Sequence, residues 1–226
     1  NIKNLNSGMT IYLSGEFKNK NFIIDRKLNI LSYTTQAVLY NSTFVFVDGA
    51  SDSSLENIII NNNDYDTYVI SINGANNITL KNNTITQENT EGATHGIQLE
   101  NSKYNTIHNN TINIKGLSYV IQYVNYVGHS NTTAIQGYNS CHNTITENKI
   151  NVVATGLGDA SSVTDTIIGI EFIGNSMDYS NIIEAKNNTI ARNTITLDGQ
   201  SYAYAIKVAD KADNTNLQWY KISCKR

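Results

Sequence analysis

Short apolar segments, each with alternating polar residues, recur along most of the chain. One unit reads apolar, two polar residues, Asn, a polar residue and Ile, and it occurs at 80–85, 107–112, 145–150 and 190–195. A fifth copy at 60–65 has Tyr in the last place. A second unit has period-two alternation and places Ile70, Ile97 and Ile135 ten residues before the first residue of the following copy. This alternation is typical of short strands with one buried face.

The spacing of these strands predicts the fold class. Ile and Thr favour strands, whereas repeated Asn and Gly break helices and accept turn conformations. A period of about 20 residues that lengthens at a single point predicts an all-β, right-handed, single-stranded parallel β-helix, a solenoid in which each coil stacks on the last. We expect one domain over 1–226, with irregular first coils over 1–56 and a non-repeat tail or stub over 211–226.

The repeated apolar residues should point inward and form columns, because stacked coils place equivalent positions about 4.8 Å apart. The first predicted column contains Ile70, Ile97, Ile135, Ile170 and Ile206. The second contains Ile60, Leu80, Ile107, Ile145 and Ile190. Burial of such columns would supply most of the stability.

Asparagine makes up about one residue in six. An inward amide costs free energy unless it is hydrogen-bonded, and stacking on the next coil supplies that bond. The predicted ladder consists of Asn63, Asn83, Asn110, Asn148 and Asn193, with a shorter second ladder of Asn105, Asn143 and Asn188. The alternative is a row of amides that binds a ligand.

The connections of variable length, 86–94, 115–133, 153–168 and 197–204, all fall at one corner of the predicted coil. Long loops on a rigid scaffold commonly carry function, and the outward row of the second unit lies beside this corner. Aromatic rings beside amides and carboxylates suit sugars. The candidate ligand-binding residues are Gln98, Tyr123, Tyr126, Gln136, Tyr138, Asp165, Glu171 and Lys207. Alternatively, 115–133 forms an extra strand that its tyrosines merely cover.

Charge and composition exclude several classes of function. Lys and Arg number 16 against 19 Asp and Glu, so no basic surface for nucleic acid is expected. No apolar run approaches the roughly 18 residues that cross a bilayer. The two cysteines and four histidines show no metal-ligand spacing, so we expect no metal and no cofactor.

Six acceptor sequons for N-glycosylation occur, at Asn41, Asn77, Asn82, Asn109, Asn131 and Asn187. Several follow directly from the repeated Asn-Asn-Thr-Ile, so their number is weak evidence for modification. A surface protein could nevertheless use them.

The coil over 96–112 resembles the β-helix repeats of pectate-lyase-like enzymes and of adhesin-like surface proteins of methanogenic archaea. The opening segments 10–13, 22–25, 28–30 and 37–44 are similar to the first coils of the latter. This resemblance implies an extracellular or cell-surface, non-catalytic module with a polar, Tyr-bearing face for a glycan or a cell-surface protein. Fold similarity alone does not fix function.

The alternative is a polysaccharide lyase or glycoside hydrolase of the pectate-lyase-like class. Such enzymes place clustered carboxylates on an outward strand. The matching row here offers one carboxylate, Glu171, and one amine, Lys207, which favours a surface ion pair over an acid and base. Asp159 or Asp165 could still complete a carboxylate pair with Glu171, so enzymatic activity stays open.

Overall fold

The computed structural model describes residues 4–64, 67–116, 119–123, 126–154, 166–174, 184–199, 202–209, 212, 215–218 and 221–225. At 119–123, 126–130 and 225 it describes the backbone. The elements of these ranges are β-strands. No helix in the described ranges is long and apolar enough to cross a membrane.

The strands are short and follow one another at close intervals. The first twelve are β1 (Met9–Leu13), β2 (Glu16–Lys18), β3 (Asn21–Ile24), β4 (Leu28–Ser32), β5 (Val38–Tyr40), β6 (Thr43–Phe46), β7 (Ser54–Glu56), β8 (Ile59–Asn62), β9 (Tyr68–Asn73), β10 (Thr79–Lys81), β11 (Thr84–Glu88) and β12 (His95–Glu100). The others are β13 (Thr106–His108), β14 (Thr111–Gly116), β15 (Tyr119–Tyr123), β16 (Tyr126–Ser130), β17 (Thr132–Tyr138), β18 (Thr144–Thr146), β19 (Lys149–Ala154), β20 (Thr166–Ile173), β21 (Thr189–Ala191), β22 (Thr194–Asp198), β23 (Tyr202–Ala209), β24 (Asn216–Gln218) and β25 (Lys221–Lys225).

Three parallel sheets form the sides of the molecule. The first sheet has the order β1-β4-β7-β10-β13-β18-β21-β24, and the second β2-β5-β8-β11-β14-β19-β22-β25. The third has the order β23-β20-β17-β12-β9-β6-β3. Each coil from β1 to β23 therefore gives one strand to each sheet, and β24 and β25 add one strand to each of the first two sheets. This arrangement confirms the parallel β-helix. β15 and β16 form a separate antiparallel hairpin.

The first predicted column is confirmed by the register of the third sheet, where Ile70, Ile97, Ile135, Ile170 and Ile206 pair in sequence. The second prediction was wrong at Ile60. Leu80 pairs with Leu55 in the first sheet, whereas Ile60 pairs with Ile85 in the second. Both Leu55 and Ile60 are fully buried, so the error lies in the sheet assigned to Ile60.

Buried asparagines stack at the corner between the first and second sheets. The Oδ1 of Asn110 accepts from the backbone N of Asn83 at 2.9 Å and from its Nδ2 at 3.1 Å. The same two contacts join Asn110 to Asn148 and Asn148 to Asn193. Each Nδ2 also donates to a backbone carbonyl of the preceding coil, such as that of Leu80 for Asn110. The amides are thus satisfied although the residues are about 1% exposed.

The prediction that Asn63 belongs to this ladder was wrong. Asn63 is exposed and lies outside the stack. The corresponding place belongs to Ile58, whose backbone N donates to the Oδ1 of Asn83 at 3.0 Å. A terminal rung that donates only through its backbone needs no side-chain amide. The shorter stack of Asn105, Asn143 and Asn188 makes equivalent contacts.

The residue before each stacked asparagine has a left-handed backbone. The φ angles are 57° at Asn82, 53° at Asn109, 60° at Glu147 and 56° at Arg192. Asparagine adopts this conformation more readily than most residues. An Asn-Asn doublet therefore combines a corner residue with a buried, hydrogen-bonded one.

The described C-terminal strands correct the expectation of a non-repeat tail over 211–226. β24 pairs in parallel with β21, and β25 pairs in parallel with β22. Leu217 and Ile222 thereby take the positions of the earlier inward residues Ile190 and Ile195. The alternation of apolar and polar residues spans too few positions in β24 and β25 to be recognised in the sequence.

Candidate functional site

The outward side of the third sheet carries a row of polar side chains, one from each of five successive coils. Register pairs place them in the order Ser71, Gln98, Gln136, Glu171 and Lys207. Glu100 and Tyr138 pair with one another two residues further along their strands. We call this set of seven residues the polar face. Parallel pairing in a rigid sheet determines these neighbours, independently of the loops.

Glu171 lies at the centre of a hydrogen-bonded group within the polar face. Its Oε2 accepts from Nε2 of Gln136 at 2.8 Å. Its Oε1 lies 2.7 Å from Nζ of Lys207, in a direction outside hydrogen-bond geometry, so this contact is an ion pair. Glu171 is 1% exposed, whereas the Lys207 side chain is 33% exposed. The carboxylate is therefore shielded and the amine reaches solvent.

Tyr68 extends this group across two coils. Its hydroxyl donates to Oε1 of Gln136 at 2.5 Å, and its ring stacks on that of His95 at 4.8 Å between centroids. Burial, with the negative charges of Glu171 and Glu100, raises the pKa of Tyr68 to about 12. The phenol stays protonated at neutral pH and acts as a fixed donor.

A second aromatic ring lies at the far end of the polar face. Tyr204 is 42% exposed, and Nζ of Lys207 lies 5.9 Å from the centroid of its ring. Tyr68, His95 and Tyr204 were missed in the sequence analysis. Each stands two residues before a repeated Ile, and this constant offset was the available signal.

Three groups of the polar face keep hydrogen-bonding capacity. Gln98 accepts from the hydroxyl of Ser71 at 3.1 Å, which leaves its Nε2 as a donor. Glu100 and Tyr138 are half-buried, and among the described residues their side chains form no hydrogen bond or ion pair. The polar face thus offers an amide donor, a carboxylate and a phenol to solvent.

A polar depression of about 340 Å³ lies at the corner that leads into the third sheet. It is lined by Asn63, Glu88, Asn89, Thr90, Glu91 and Lys115. Asn89 organises the loop, because its Oδ1 accepts from the backbone N of Glu91 at 2.6 Å. This loop leads to His95, the first residue of β12, so the depression lies at the corner before the third sheet.

For three residues of the predicted site, the structure does not describe the side chain. Tyr123 and Tyr126 pair across the hairpin of β15 and β16, but their side chains, like Asp165, lie outside the described residues. The predicted extra strand in 115–133 corresponds to two strands. The structure brings Gln98, Gln136, Tyr138, Glu171 and Lys207 onto one sheet face.

The sequon asparagines are found mainly at corners. Asn41, Asn77, Asn82, Asn109 and Asn187 have φ between 46° and 60°, and Asn131 precedes β17. Asn109 donates to the Oδ1 of Asn82 at 2.8 Å. Their use as glycosylation sites stays a prediction.

The described histidines lie apart from one another in different interactions. His95 stacks on Tyr68 and His142 stacks on Tyr104. Nδ1 of His108 lies 3.1 Å from Oγ1 of Thr146, and its Nε2 lies 3.9 Å from Oε2 of Glu147. Across the described ranges, no three His, Cys, Asp or Glu side chains converge on a metal-sized site.

A family model described as periplasmic copper-binding protein (NosD) matches residues 2–182. Copper sites in proteins use converging imidazole, thiolate or thioether ligands. His108 lies close to the carboxylate of Glu147, and no third His, Cys, Asp or Glu side chain joins them in the described ranges. The described residues therefore do not fit a copper ion.

Two solved structures match most of this chain at low sequence identity. One is the catalytic domain of a GH87 alpha-1,3-glucanase in complex with tetrasaccharides, with 15% identity, 96% of this chain and 62% of that chain covered, and a TM-score of 0.38. The other is such a domain in complex with nigerose, with 13% identity, 95% and 59% coverage, and a TM-score of 0.35. The chain thus spans about three fifths of their length. No curated protein matches the chain.

Proposed function

The chain belongs to the family described as periplasmic copper-binding protein (NosD), and we propose that it is a non-catalytic, adhesin-like β-helix module that binds glycans outside the cytoplasm. The ligand lies along the polar face, across the coils that carry Gln98, Gln136 and Lys207. Its placement outside the cytoplasm rests on the description of the family.

The observation that carries this proposal is the hydrogen-bonded group around Glu171. Gln136 and Lys207 are both held by the Glu171 carboxylate, at 2.8 and 2.7 Å, and Tyr68 fixes the other end of the Gln136 amide. Side chains that are oriented before binding lose less entropy when a ligand docks. The exposed ring of Tyr204 beside Lys207 suits the apolar face of a sugar.

The same geometry argues against Glu171 as a general acid or base. A catalytic carboxyl must reach the substrate within about 3 Å, directly or through one water. Glu171 is 1% exposed, and both of its oxygens face side chains of the same sheet. Its role is to position Gln136 and Lys207.

Copper has no part in this proposal, because the described side chains do not assemble a site for it. The ligand contacts that we propose come from amide, amine, carboxylate and phenol groups. None of them depends on a bound metal.

A glycan array tests the proposal. The protein should bind defined oligosaccharides. Tyr204→Ala and Gln136→Ala should each weaken binding about tenfold or more, because Gln136 belongs to the polar face and the Tyr204 ring lies beside Lys207 at its end. Asn151→Ala is the matched control: it changes an outward, half-buried residue of the second sheet and should bind as the unchanged protein does.

Release of reducing sugar ends from the bound oligosaccharides is measured in parallel. We expect none. Sustained release of reducing ends that disappears in Glu171→Gln would contradict the non-catalytic proposal. It would favour the alternative, a polysaccharide lyase or hydrolase. Absence of any glycan binding, or an equal loss in Asn151→Ala, would reject the polar face as a glycan site.

A further inference from the structure

The polar face has an excess of negative charge once its internal ion pair is taken into account. Glu171 and Lys207 neutralise one another at 2.7 Å. Glu100 is the third charged residue of this face, and its carboxylate has no ion-pair or hydrogen-bond partner among the described residues. The face therefore presents one uncompensated carboxylate to a ligand.

The neighbouring depression has the same sign. Glu88 and Glu91 contribute two carboxylates, and Lys115 contributes one amine. Its charge is again negative by one. The depression and the polar face therefore each have an unbalanced negative charge.

Glu100 also has neighbours suited to hydroxyl groups. Gln98 lies two residues before it on β12, and parallel pairing places Tyr138 directly across from it on β17. Alternate residues of a strand lie on one face about 7 Å apart, and neighbouring strands lie about 4.8 Å apart. A free carboxylate, an amide donor and a phenol therefore stand within roughly 9 Å of one another, the span of one to two sugar units.

We propose that the ligand is an uncharged glycan, and that Glu100 selects it by accepting hydrogen bonds from sugar hydroxyls and repelling acidic sugars. A carboxylate can accept bonds from two adjacent hydroxyls. A uronic acid in the same position brings two like charges together, which weakens binding. This inference rests on the proposed glycan-binding function and adds the class of ligand.

The test compares glucan, xylan, mannan and galactan oligosaccharides, and for the hexose oligomers also the forms oxidised to uronic acids at C6. Each neutral and acidic hexose pair differs in charge but keeps its linkage. We expect the protein to bind the neutral member of a pair at least tenfold more tightly. Raising the salt concentration should narrow this ratio, because screening weakens the repulsion.

Glu100→Gln keeps a hydrogen-bonding side chain and removes the charge, so it should bring the neutral-to-acidic ratio to within about twofold. Glu56→Gln is the control, because Glu56 is a half-buried carboxylate of the first sheet, and it should leave the ratio unchanged. Circular dichroism melts verify that both variants fold.

The outcomes separate this inference from the proposal on which it rests. If the protein binds acidic members as tightly as neutral ones, or if Glu100→Gln leaves the ratio unchanged, the selection by Glu100 is wrong while glycan binding stands. If the protein binds neither member of any pair, the proposed function itself is wrong.

Discussion

The two residues of an Asn-Asn doublet have different structural tasks. Asn110 is 1% exposed and exchanges hydrogen bonds with Asn83, Asn148 and the carbonyls of Leu80 and His108. Asn109 is exposed and has φ 53°. The first loses partners when it is truncated, and the second mainly requires a backbone that accepts the left-handed region.

Asn110→Ala should therefore lower the free energy of unfolding by about 1 to 3 kcal/mol, because it leaves buried polar groups of two coils without partners. Asn109→Gly should change it by no more than about 0.5 kcal/mol, since glycine accepts a positive φ. Alanine is a poorer control at 109, because it is strained there. Urea unfolding measures both, and equal losses would contradict the burial of Asn110.

The ion pair of Glu171 and Lys207 should respond unequally to removal of its two partners. Lys207→Met leaves a carboxylate that is 1% exposed without its cation, and we expect a loss of about 3 kcal/mol. Glu171→Gln leaves an amine that solvent already reaches, and we expect about 1 kcal/mol. Thermal melts at neutral pH compare them. A larger loss in Glu171→Gln would show that the carboxylate is not the shielded partner.

At the scale of elements, period-two alternation was sufficient to predict the strands and the column from Ile70 to Ile206. It failed at Ile60 because residues 60–63 imitate the repeated unit, while the true unit at 55–58 has Ile58 where the others have Asn. In the third sheet, the size of residue that fits at one position also depends on the residue in the next coil, which the local sequence does not reveal. A Cβ at Gly137 would collide with the ring of Phe172 one coil later, so a small residue in one coil accommodates a large one in the next.

In the candidate site, too, one part could be predicted from the repeat and another part could not. The row from Ser71 to Lys207 could be predicted because it follows the repeat. The burial of Glu171 and the reach of Tyr68 to Gln136, two coils away, could not, because they depend on side-chain conformations across coils. A pattern in one dimension reports which residues are neighbours, but it does not report which of them is shielded.

The hairpin of β15 and β16 is inserted between two strands whose ends already touch. A Cβ at Gly116, the last residue of β14, would lie 2.6 Å from Oγ1 of Thr132, the first residue of β17. Replacement of 118–130 by Gly-Ser-Gly should therefore leave the melting temperature within about 4 °C of that of the unchanged protein, which corresponds to about 1 kcal/mol. A two-stranded hairpin is marginal by itself, and among the described strands β15 and β16 pair with one another and with none of the three large sheets.

The same replacement tests the predicted contribution of Tyr123 and Tyr126 to binding. If their rings contact the glycan, affinity falls while the fold is retained. A collapse of the melting temperature would instead mean that the hairpin is part of the core.

At the scale of the whole molecule, stability should arise from stacked coils without a metal. The core is apolar, its amides are satisfied by one another, and no metal-sized cluster occurs in the described ranges. We expect dialysis against EDTA, or addition of Cu²⁺, to leave the melting temperature unchanged, whereas a ligand that binds the folded state would raise it. A rise of several degrees with Cu²⁺ would assign a copper site to this chain after all.

The direction of the backbone hydrogen bonds has a mechanical consequence. They run along the axis of the solenoid, from each coil to the next, so a force applied to the two chain ends opens them one coil at a time. Coils of 27, 38 and 45 residues follow one another in the middle of the molecule. At about 3.3 to 3.6 Å per residue, single-molecule stretching should release them in steps of roughly 90 to 100, 125 to 135 and 150 to 160 Å. The inserted loops would then be readable as lengths on a force trace.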